Sequence, residues 1–519
     1  MTDDAFEQAL REDLPRGHGE RATARGVERG LFARWLKPDE MRGPTWNPKG
    51  GLLLGKRAGH IVGWNDDRHV MTIAGSRAGK GVSLIVPNLI FYEGSALVVD
   101  PKGDLARHTA RRRGGGAGLE KRGLGQRVYV LDPFGVSGCE CAAFNPLAEL
   151  DLTSPDLIDD ATMFAEALII HPERGERHWT ESAQALLRAL ILVAVADDAP
   201  DRRNLVTVRR LLMLADIRIE NEVLFQTPTD VDLNGKLTAQ GALIRILKVQ
   251  EGRHAHICHG IAEQLEAMGD NERGSVFSSA RTQTQWLDSE KIEKVLSRSD
   301  FQLVDLKRKK TTIYLSLPAM RLATHARWLR LMILLAITVM ERTSGKTEPP
   351  VLFVLDEFPV LGHMDSVEKA AGLMAGFGVK LWLIIQNVGQ LKQHYKEGWE
   401  TFFANCGVIT AFGVSDFETL KTLSDNLGRM SIVEKVRSGA SDRALGQGAS
   451  PLQDDRREVP LLAEHELRLA FGRKKNRVLI FNVEDNPAVA ERFIYYSEPM
   501  FRGLYDPDPK YDEAPGGFG

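Results

Sequence analysis

Short apolar runs alternate with amphipathic stretches between residues 70 and 132. The runs Val70–Ala74, Ala96–Asp100 and Val128–Asp132 have the length and composition of buried strands. Helical patterns at Val82–Tyr92 and Leu105–Arg113 separate them. Because buried strands that alternate with helices form parallel sheets, this region predicts an α/β fold with a mainly parallel sheet and helices on both faces.

A long helical pattern interrupts the alternation from Pro155 to Leu296. Apolar residues recur there at spacings of three and four, as in Trp179, Ala183, Leu186, Leu187 and Leu190. The segment predicts an all-α insertion.

The α/β pattern then resumes. Further strands are predicted at Thr311–Pro318, within Val351–Phe358, at Val379–Gln386 and at Gly407–Phe412, with helices at Ala326–Arg342 and Val367–Phe377. Residues 1–66 read as an irregular segment with short strands, and the Ser-, Gly- and charge-rich residues 438–458 predict a surface loop.

The segment VMTIAGSRAGK, Val70–Lys80, ends a strand in a turn of small residues followed by a lysine. Small residues let successive backbone N–H groups face a phosphate, and the helix that follows adds its positive end. Lys80 would reach the β- and γ-phosphate oxygens. The residues expected to bind the nucleotide are Ala74, Gly75, Ser76, Arg77, Ala78, Gly79, Lys80, Gly81 and Val82.

A second apolar strand, in VLFVLDEF, ends in two carboxylates. Asp356 is expected to hold Mg²⁺, and Glu357 to orient and polarise the attacking water. With Lys80, these residues predict ATP and Mg²⁺ as cofactors and an ATP-hydrolysing enzyme. Gln386 ends a later core strand, where it either senses the γ-phosphate or only closes a turn with Asn387.

The loop departs from the GxxxxGK[ST] pattern at two positions. Ala74 replaces the first glycine, and Gly81 stands where Ser or Thr normally supplies a hydroxyl to Mg²⁺. Ser76 and Ser83 would contribute only through a different geometry or through water.

Composition excludes a generally basic, polyanion-binding protein. The 519 residues carry a net charge of −3 and are 43% hydrophobic, which is ordinary for a soluble globular chain. Contact with nucleic acid would need local basic runs, and Arg107–Arg113, Lys307–Lys310 and Arg473–Arg477 are either such contacts or solvated faces.

Four cysteines do not form a disulfide framework in a chain of this size, which agrees with a reducing cytoplasm. The residues His254, His256, Cys258 and His259 look like metal ligands, but no second cluster accompanies them, and a polar helix surface is the simpler account.

The N-terminus is polar and acidic, unlike a signal peptide. The most apolar runs, Ala185–Ala196 and Leu331–Met340, are shorter than the roughly 20 residues that a bilayer requires. They predict buried helices and no transmembrane segment.

Several segments together resemble the type IV secretion coupling proteins, the TraG-like ATPases of conjugative DNA transfer. They are SRAGKGVSLIVPNL (Ser76–Leu89), VVDPKGDL (Val98–Leu105), LDPF (Leu131–Phe134), FNPL (Phe144–Leu147), HWTESAQALLRALI (His178–Ile191), LDEFPVLG (Leu355–Gly362), GVKLWLIIQNVGQL (Gly378–Leu391), WETFFANCGVITAFG (Trp399–Gly413) and RFIYYSEPMF (Arg492–Phe501).

The resemblance implies a RecA-like motor, similar to FtsK and HerA translocases and hexameric when active, with an inserted all-α domain. It assigns residues 67–150 and 301–519 to a discontinuous nucleotide-binding domain, and 151–300 to the all-α domain. That domain would recruit relaxosome or effector proteins, and the motor would pass single-stranded or double-stranded DNA, or effectors, to a secretion channel.

Two features of the family are not matched. Family members commonly have two N-terminal membrane helices, which this sequence does not contain, so we expect a cytoplasmic protein held peripherally at the inner membrane by type IV secretion components. The arginine finger is not assigned, because Ala375 stands at the best-matching position and neither Lys380 nor Arg281 is placed by a motif.

The sequence is also compatible with two other functions. One is a cargo-recruiting adaptor with weak ATPase activity, and the other is a cytoplasmic FtsK/HerA-like DNA translocase unrelated to secretion.

Overall fold

The computed structural model describes residues 33–171, 177–213, 239–437 and 452–507. The chain divides into two compact units. Unit 1 contains the residues up to Ala96, residues 108–125 and the residues from Lys346 onward, and unit 2 contains Leu97–Arg107 and Gln126–Gly345.

The strands are β1 (Leu52–Arg57), β2 (His60–Trp64), β3 (His69–Ala74), β4 (Ala96–Asp100), β5 (Arg127–Leu131), β6 (Thr311–Ser316), β7 (Val351–Leu355), β8 (Val379–Ile385), β9 (Cys406–Phe412), β10 (Arg429–Arg437), β11 (Leu452–Pro460), β12 (Arg477–Asn482) and β13 (Ala488–Glu491).

The α-helices are α1 (Val86–Phe91), α2 (Asp104–Arg113), α3 (Leu157–Leu168), α4 (Arg177–Val195), α5 (Leu205–Met213), α6 (Ala239–Lys248), α7 (Ala255–Ala267), α8 (Asp270–Thr284), α9 (Glu290–Leu296), α10 (Asp305–Arg308), α11 (Leu322–Arg342), α12 (Asp365–Leu373), α13 (Val388–Tyr395), α14 (Trp399–Ala404), α15 (Phe417–Leu427) and α16 (Glu464–Ala470).

Unit 1 has a mixed sheet in the order β2-β1-β13-β12-β9-β3-β8-β7. β9, β3, β8 and β7 pair in parallel. The strands from β9 outward to β2 pair antiparallel. Every residue of β3, β7 and β8 is buried, which explains why the sequences of these strands are mainly apolar.

Unit 2 has the strands β4, β6 and β5 in that order, with β5 and β6 parallel. In this unit, α4 contacts α3, α5, α7 and α8. Ala183, Leu186, Leu187 and Leu190 on α4 are fully buried. The spacing of three and four residues seen in the sequence therefore marks the core of the helical segment.

The structure confirms the predicted α/β class, and each strand predicted between Val70 and Phe412 is present. The boundaries of the all-α domain remain a prediction, and unit 2 also includes β4, β5 and β6. The sequence reading omitted β10 to β13. The surface loop predicted over residues 438–458 is wrong at its end, because residues from Leu452 form β11 and pair with β10, while residues 438–451 lie outside the described residues.

Within the described ranges, one helix, Ala319–Arg342, is long and apolar enough to cross a membrane by length and composition. The sequence-based prediction considered only the ten apolar residues Leu331–Met340, which are too few to cross a membrane. In the most apolar 18-residue stretch of this helix, 67% is buried inside the protein. The core helix of a soluble protein has the same length and composition, so this helix is weak evidence for a membrane span.

Candidate nucleotide-binding site

The predicted phosphate loop follows β3, whose carboxyl end lies between β8 and β9. Carboxyl ends of parallel strands are where α/β proteins bind ligands. Arg77 has φ 56° and Gly79 has φ 89°, so the loop turns through two left-handed residues. A π-helical turn, Gly81–Ile85, then leads into α1, which places a helix start at the loop.

Two glycines allow the loop to pack closely against the end of β9. A Cβ atom on Gly75 would lie 2.1 Å from the Gly413 carbonyl oxygen. A Cβ atom on Gly413, which has φ +64°, would lie 2.4 Å from the Ala78 Cβ atom. Side chains at these two positions would therefore push the loop off the sheet.

Lys80 lies between the two carboxylates that follow β7. Its Nζ atom is 2.7 Å from Asp356 Oδ1 and 2.6 Å from Glu357 Oε1. The three side chains are only 13–18% exposed. The structure thus brings together the predicted phosphate-binding lysine and both predicted carboxylates.

Burial and charge act on these groups in opposite directions. Burial lowers the pKa of Lys80, but the Asp356 and Glu357 carboxylates outweigh this effect and raise that pKa above its ordinary value. Burial raises the pKa of Asp356, and the Lys80 ammonium only partly offsets it. Lys80 therefore remains a cation that can meet an anionic ligand.

Glu357 has a left-handed backbone, with φ 57° and ψ 39°. This conformation costs a residue other than glycine about 1–3 kcal/mol and is retained mainly at functional sites. Gln386, directly after β8, donates from Nε2 to Glu357 Oε2 at 2.8 Å. Asn387 instead caps α13 by accepting from the Gln390 N–H at 2.9 Å, so Gln386 is not needed to close that turn.

The family model described as type IV secretory system conjugative DNA transfer matches residues 34–511. The chain belongs to this family.

Curated relatives of this conjugative DNA transfer family align over most of the chain. The conjugal transfer protein TraG of Escherichia coli is 27% identical over 517 residues, covering 90% of this chain and 77% of TraG. The protein VirD4 of Rhizobium rhizogenes is 27% identical over 491 residues, covering 91% of this chain and 66% of VirD4.

Solved structures of the plasmid coupling protein TrwB share the fold. The unbound form has a TM-score of 0.63 at 14% identity, and the match covers 91% of this chain and 96% of that chain. TrwB structures with the ATP analogue ADPNP, and with ADP and Mg²⁺, match equally well. The predicted membership of the conjugative transfer family and the predicted fold class are confirmed.

The carboxylates beside the phosphate loop fit Mg²⁺, a cation that needs few protein ligands. Mg²⁺ usually takes one or two carboxylates and completes its shell with water and phosphate oxygens, and Asp356 and Glu357 lie beside the phosphate loop. Ser83 is 3% exposed, and its Oγ donates to the Gly79 carbonyl at 2.8 Å. Ser76 is exposed on the loop.

Neither basic candidate for an arginine finger is positioned as one. Lys380 is 1% exposed and donates to the Asp66 main-chain carbonyl, so it cannot extend to a neighbouring subunit. Arg281 lies on α8 of unit 2, donates to the Leu212 carbonyl at 3.3 Å and lies over the Phe277 ring. Ala375 has no charge, and the finger remains unassigned.

No metal-binding group of three or more His, Cys, Asp or Glu side chains exists among the described residues, and this includes the His254–His259 segment. Within that segment, His259 Nε2 is 2.9 Å from the Gln250 carbonyl and Cys258 is buried.

Sequence reasoning missed two residues that shape the loop, Gly413 and Arg492. Both lie inside segments that carry the family resemblance, but neither belongs to a local motif with a known chemical role. Arg492 Nη1 donates to the Ala78 carbonyl at 2.6 Å, across 414 positions of sequence. A contact of this range has no periodic signal in the sequence.

Proposed function

We propose that this chain is an ATP-hydrolysing coupling protein that passes DNA–relaxase or protein-effector substrates to a type IV secretion channel. The observation that carries the proposal is the cluster of Lys80, Asp356, Glu357 and Gln386 beside the phosphate loop. Membership of the conjugative DNA transfer family supports the substrate class. The adaptor alternative would not need an ordered carboxylate and glutamine at this position.

The proposed ligands are ATP and Mg²⁺, supported by the ADPNP and ADP–Mg²⁺ complexes of TrwB. Residues 74–82 would bind the phosphates through backbone N–H groups, with Lys80 as the cation. Asp356 would hold Mg²⁺, which when bound neutralises phosphate charge. Glu357, held by Gln386, would orient and polarise the attacking water.

The proposed organisation follows the family. Residues 67–150 and 301–519 form a RecA-like motor that acts as a homo-hexamer, and residues 151–300 recruit relaxosome or effector proteins. The proposed location is the cytoplasmic face of the inner membrane, where type IV secretion components retain the protein. In cells without those components, the protein should be recovered in the soluble fraction.

The first test is ATP turnover by the purified full chain, with and without single-stranded or double-stranded DNA, against Lys80→Ala. We expect turnover that DNA stimulates and that Lys80→Ala abolishes. Turnover no greater than that of Lys80→Ala under all conditions would favour the adaptor function. Co-purification from cells that carry the secretion system separates a secretion role from a DNA-pumping ATPase, which would bind DNA but capture no secretion or relaxosome component.

A further inference from the structure

Arg492 lies directly after β13 and is 7% exposed. Its guanidinium donates to three main-chain carbonyls: Ala78 at 2.6 Å, Lys475 at 2.7 Å and Arg473 at 3.4 Å. The guanidinium carbon also lies 4.6 Å from the centre of the Phe412 ring. The side chain thus joins the phosphate loop to the loop before β12 and to the end of β9.

This cation is buried without a carboxylate partner among the described residues. Burial lowers the pKa of Arg492 to about 10, because the surrounding carbonyls and ring replace the lost solvation of its charge only in part. Buried charges are normally paired, and a carbonyl set with one aromatic face compensates less than a carboxylate does. A bound anion near the guanidinium would supply the missing compensation.

The Ala78 carbonyl is the group through which Arg492 acts on the phosphate loop. A loop that binds phosphate must turn its N–H groups inward, so its carbonyls have to face away and find donors elsewhere. Ala78 precedes Gly79, whose φ of 89° turns the chain toward Lys80. Arg492 supplies the donor that holds this carbonyl on the outer side.

We propose that Arg492 is a positioning residue for phosphate binding, which fixes the Ala78 carbonyl away from the phosphates and adds positive potential behind the loop. The inference rests on the proposed function, since it takes the loop to be a nucleotide site. Arg492 does not touch the nucleotide in this assignment. It acts through the backbone of the phosphate loop.

Arg492 also fixes the position of the basic run Arg473–Arg477. Two of its carbonyls accept from Arg492, and a Cβ atom on Gly413 would lie 3.9 Å from the Arg473 Cα atom. The backbone of this run is therefore held beside the phosphate loop.

A matched control exists in the same unit. Arg113 is 0% exposed and also donates to three carbonyls, those of Leu89 at 2.9 Å, Tyr92 at 3.0 Å and Gly94 at 2.7 Å. These carbonyls lie at the far end of α1, away from the phosphate loop. Arg113→Met and Arg492→Met therefore remove similar buried hydrogen bonds, but only Arg492→Met removes them from the loop.

The experiment measures the Kd of ADP with Mg²⁺ and the thermal midpoint for the full-length wild type, Arg492→Met, Arg492→Lys and Arg113→Met. The proposed function is tested separately by the ADP affinity of the wild type and of Lys80→Ala. The wild type should bind ADP, and Lys80→Ala should bind it more weakly. We expect Arg492→Met to weaken ADP binding about tenfold, and Arg492→Lys, which keeps the charge, to weaken it less. Arg113→Met should lower the thermal midpoint but leave the ADP affinity within about threefold of wild type.

Two results would overturn the assignment. One is wild-type ADP affinity in Arg492→Met. The other is an equal loss of affinity in Arg113→Met and Arg492→Met, which would mean that only general stability is involved. If Arg492→Met does not fold, the ADP affinity of Arg492→Lys provides the test. An unchanged ADP affinity in Arg492→Lys, together with a lowered thermal midpoint, would also contradict a positioning role for Arg492.

Discussion

Gln386 and Glu357 are joined by a hydrogen bond of 2.8 Å between Nε2 and Oε2. The other oxygen of Glu357 is 2.6 Å from Lys80 Nζ. Each carboxylate oxygen therefore has a separate partner, one at the end of β8 and one on the phosphate loop. If a nucleotide draws Lys80 toward its phosphates, Gln386 still holds Glu357 in place.

Gln386→Ala should lower kcat about 10²-fold, because Glu357 would lose the donor that orients it as a general base. The nucleotide Kd should change by less than about threefold, since Gln386 has no contact with the phosphate loop in this assignment. Steady-state turnover and equilibrium binding of ADPNP separate the two effects. A large loss of affinity with unchanged kcat would place Gln386 in nucleotide binding instead.

Lys80→Ala and Glu357→Gln should fail in different ways. Lys80→Ala removes the cation that meets the phosphates and should mainly weaken nucleotide binding. Glu357→Gln should keep ATP bound and slow its hydrolysis, because the amide is a poor base of nearly the same shape. Filter binding of labelled ATP, combined with single-turnover hydrolysis, measures both quantities. Equal losses of affinity in the two variants would contradict the assigned roles.

Two glycines of the same loop should respond differently to alanine. Gly75→Ala places a Cβ atom 2.1 Å from the Gly413 carbonyl, whereas a Cβ atom on Gly81 meets nothing within 4 Å. Gly75→Ala should destabilise the loop by about 1–3 kcal/mol, the usual range for overpacking, and weaken ADP binding. Gly81→Ala lies in the helical turn Gly81–Ile85, so it should raise the thermal midpoint slightly and leave ADP binding unchanged. Similar behaviour of the two variants would show that the close contact with β9 is not needed.

Gly81 is also the position at which a magnesium-binding hydroxyl can be restored. Gly81→Ser adds a side chain into open space at the position where the common motif carries Ser or Thr. We expect ADP to bind more tightly to Gly81→Ser than to wild type when Mg²⁺ is present, and equally tightly when EDTA removes it. Isothermal titration in the two buffers provides the measurement, with Gly81→Ala as the control. A Mg²⁺-independent gain would point to an effect on the helix alone.

The cluster of Lys80, Asp356, Glu357 and Gln386 was predictable because each member has a local signal in the sequence. Lys80 follows a glycine-rich turn, and Asp356, Glu357 and Gln386 each end a buried strand, so parallel pairing alone brings them to one edge of a sheet.

The antiparallel half of the sheet was not predictable in the same way. β12 and β13 pair with each other, but their other partners, β9 and β1, lie far away in sequence, and β13 has only four residues. Arg492 illustrates the limit, because an arginine after a short strand is ordinary until folding places it against Ala78.

His69 should make the free energy of unfolding depend on pH. It begins β3, is 2% exposed, and its Nδ1 accepts from the Leu381 N–H at 3.2 Å, which requires an unprotonated nitrogen. Burial, assisted by the charge of Lys380, lowers the pKa of His69 from 6.5 to about 4, although a backbone hydrogen bond opposes the shift.

Between pH 6.5 and about 4, the unfolded chain therefore binds a proton at this position that the folded chain does not. The free energy of unfolding should fall as the pH decreases through this window, by about 3 kcal/mol from His69 alone. His69→Asn keeps an acceptor but does not titrate, so urea unfolding at pH 7.5 and pH 4.5 should show a smaller loss than in wild type. His60→Asn, a change at an exposed residue of β2, is the matched control and should follow wild type. Equal pH dependence in His69→Asn and wild type would show that the buried imidazole does not resist protonation.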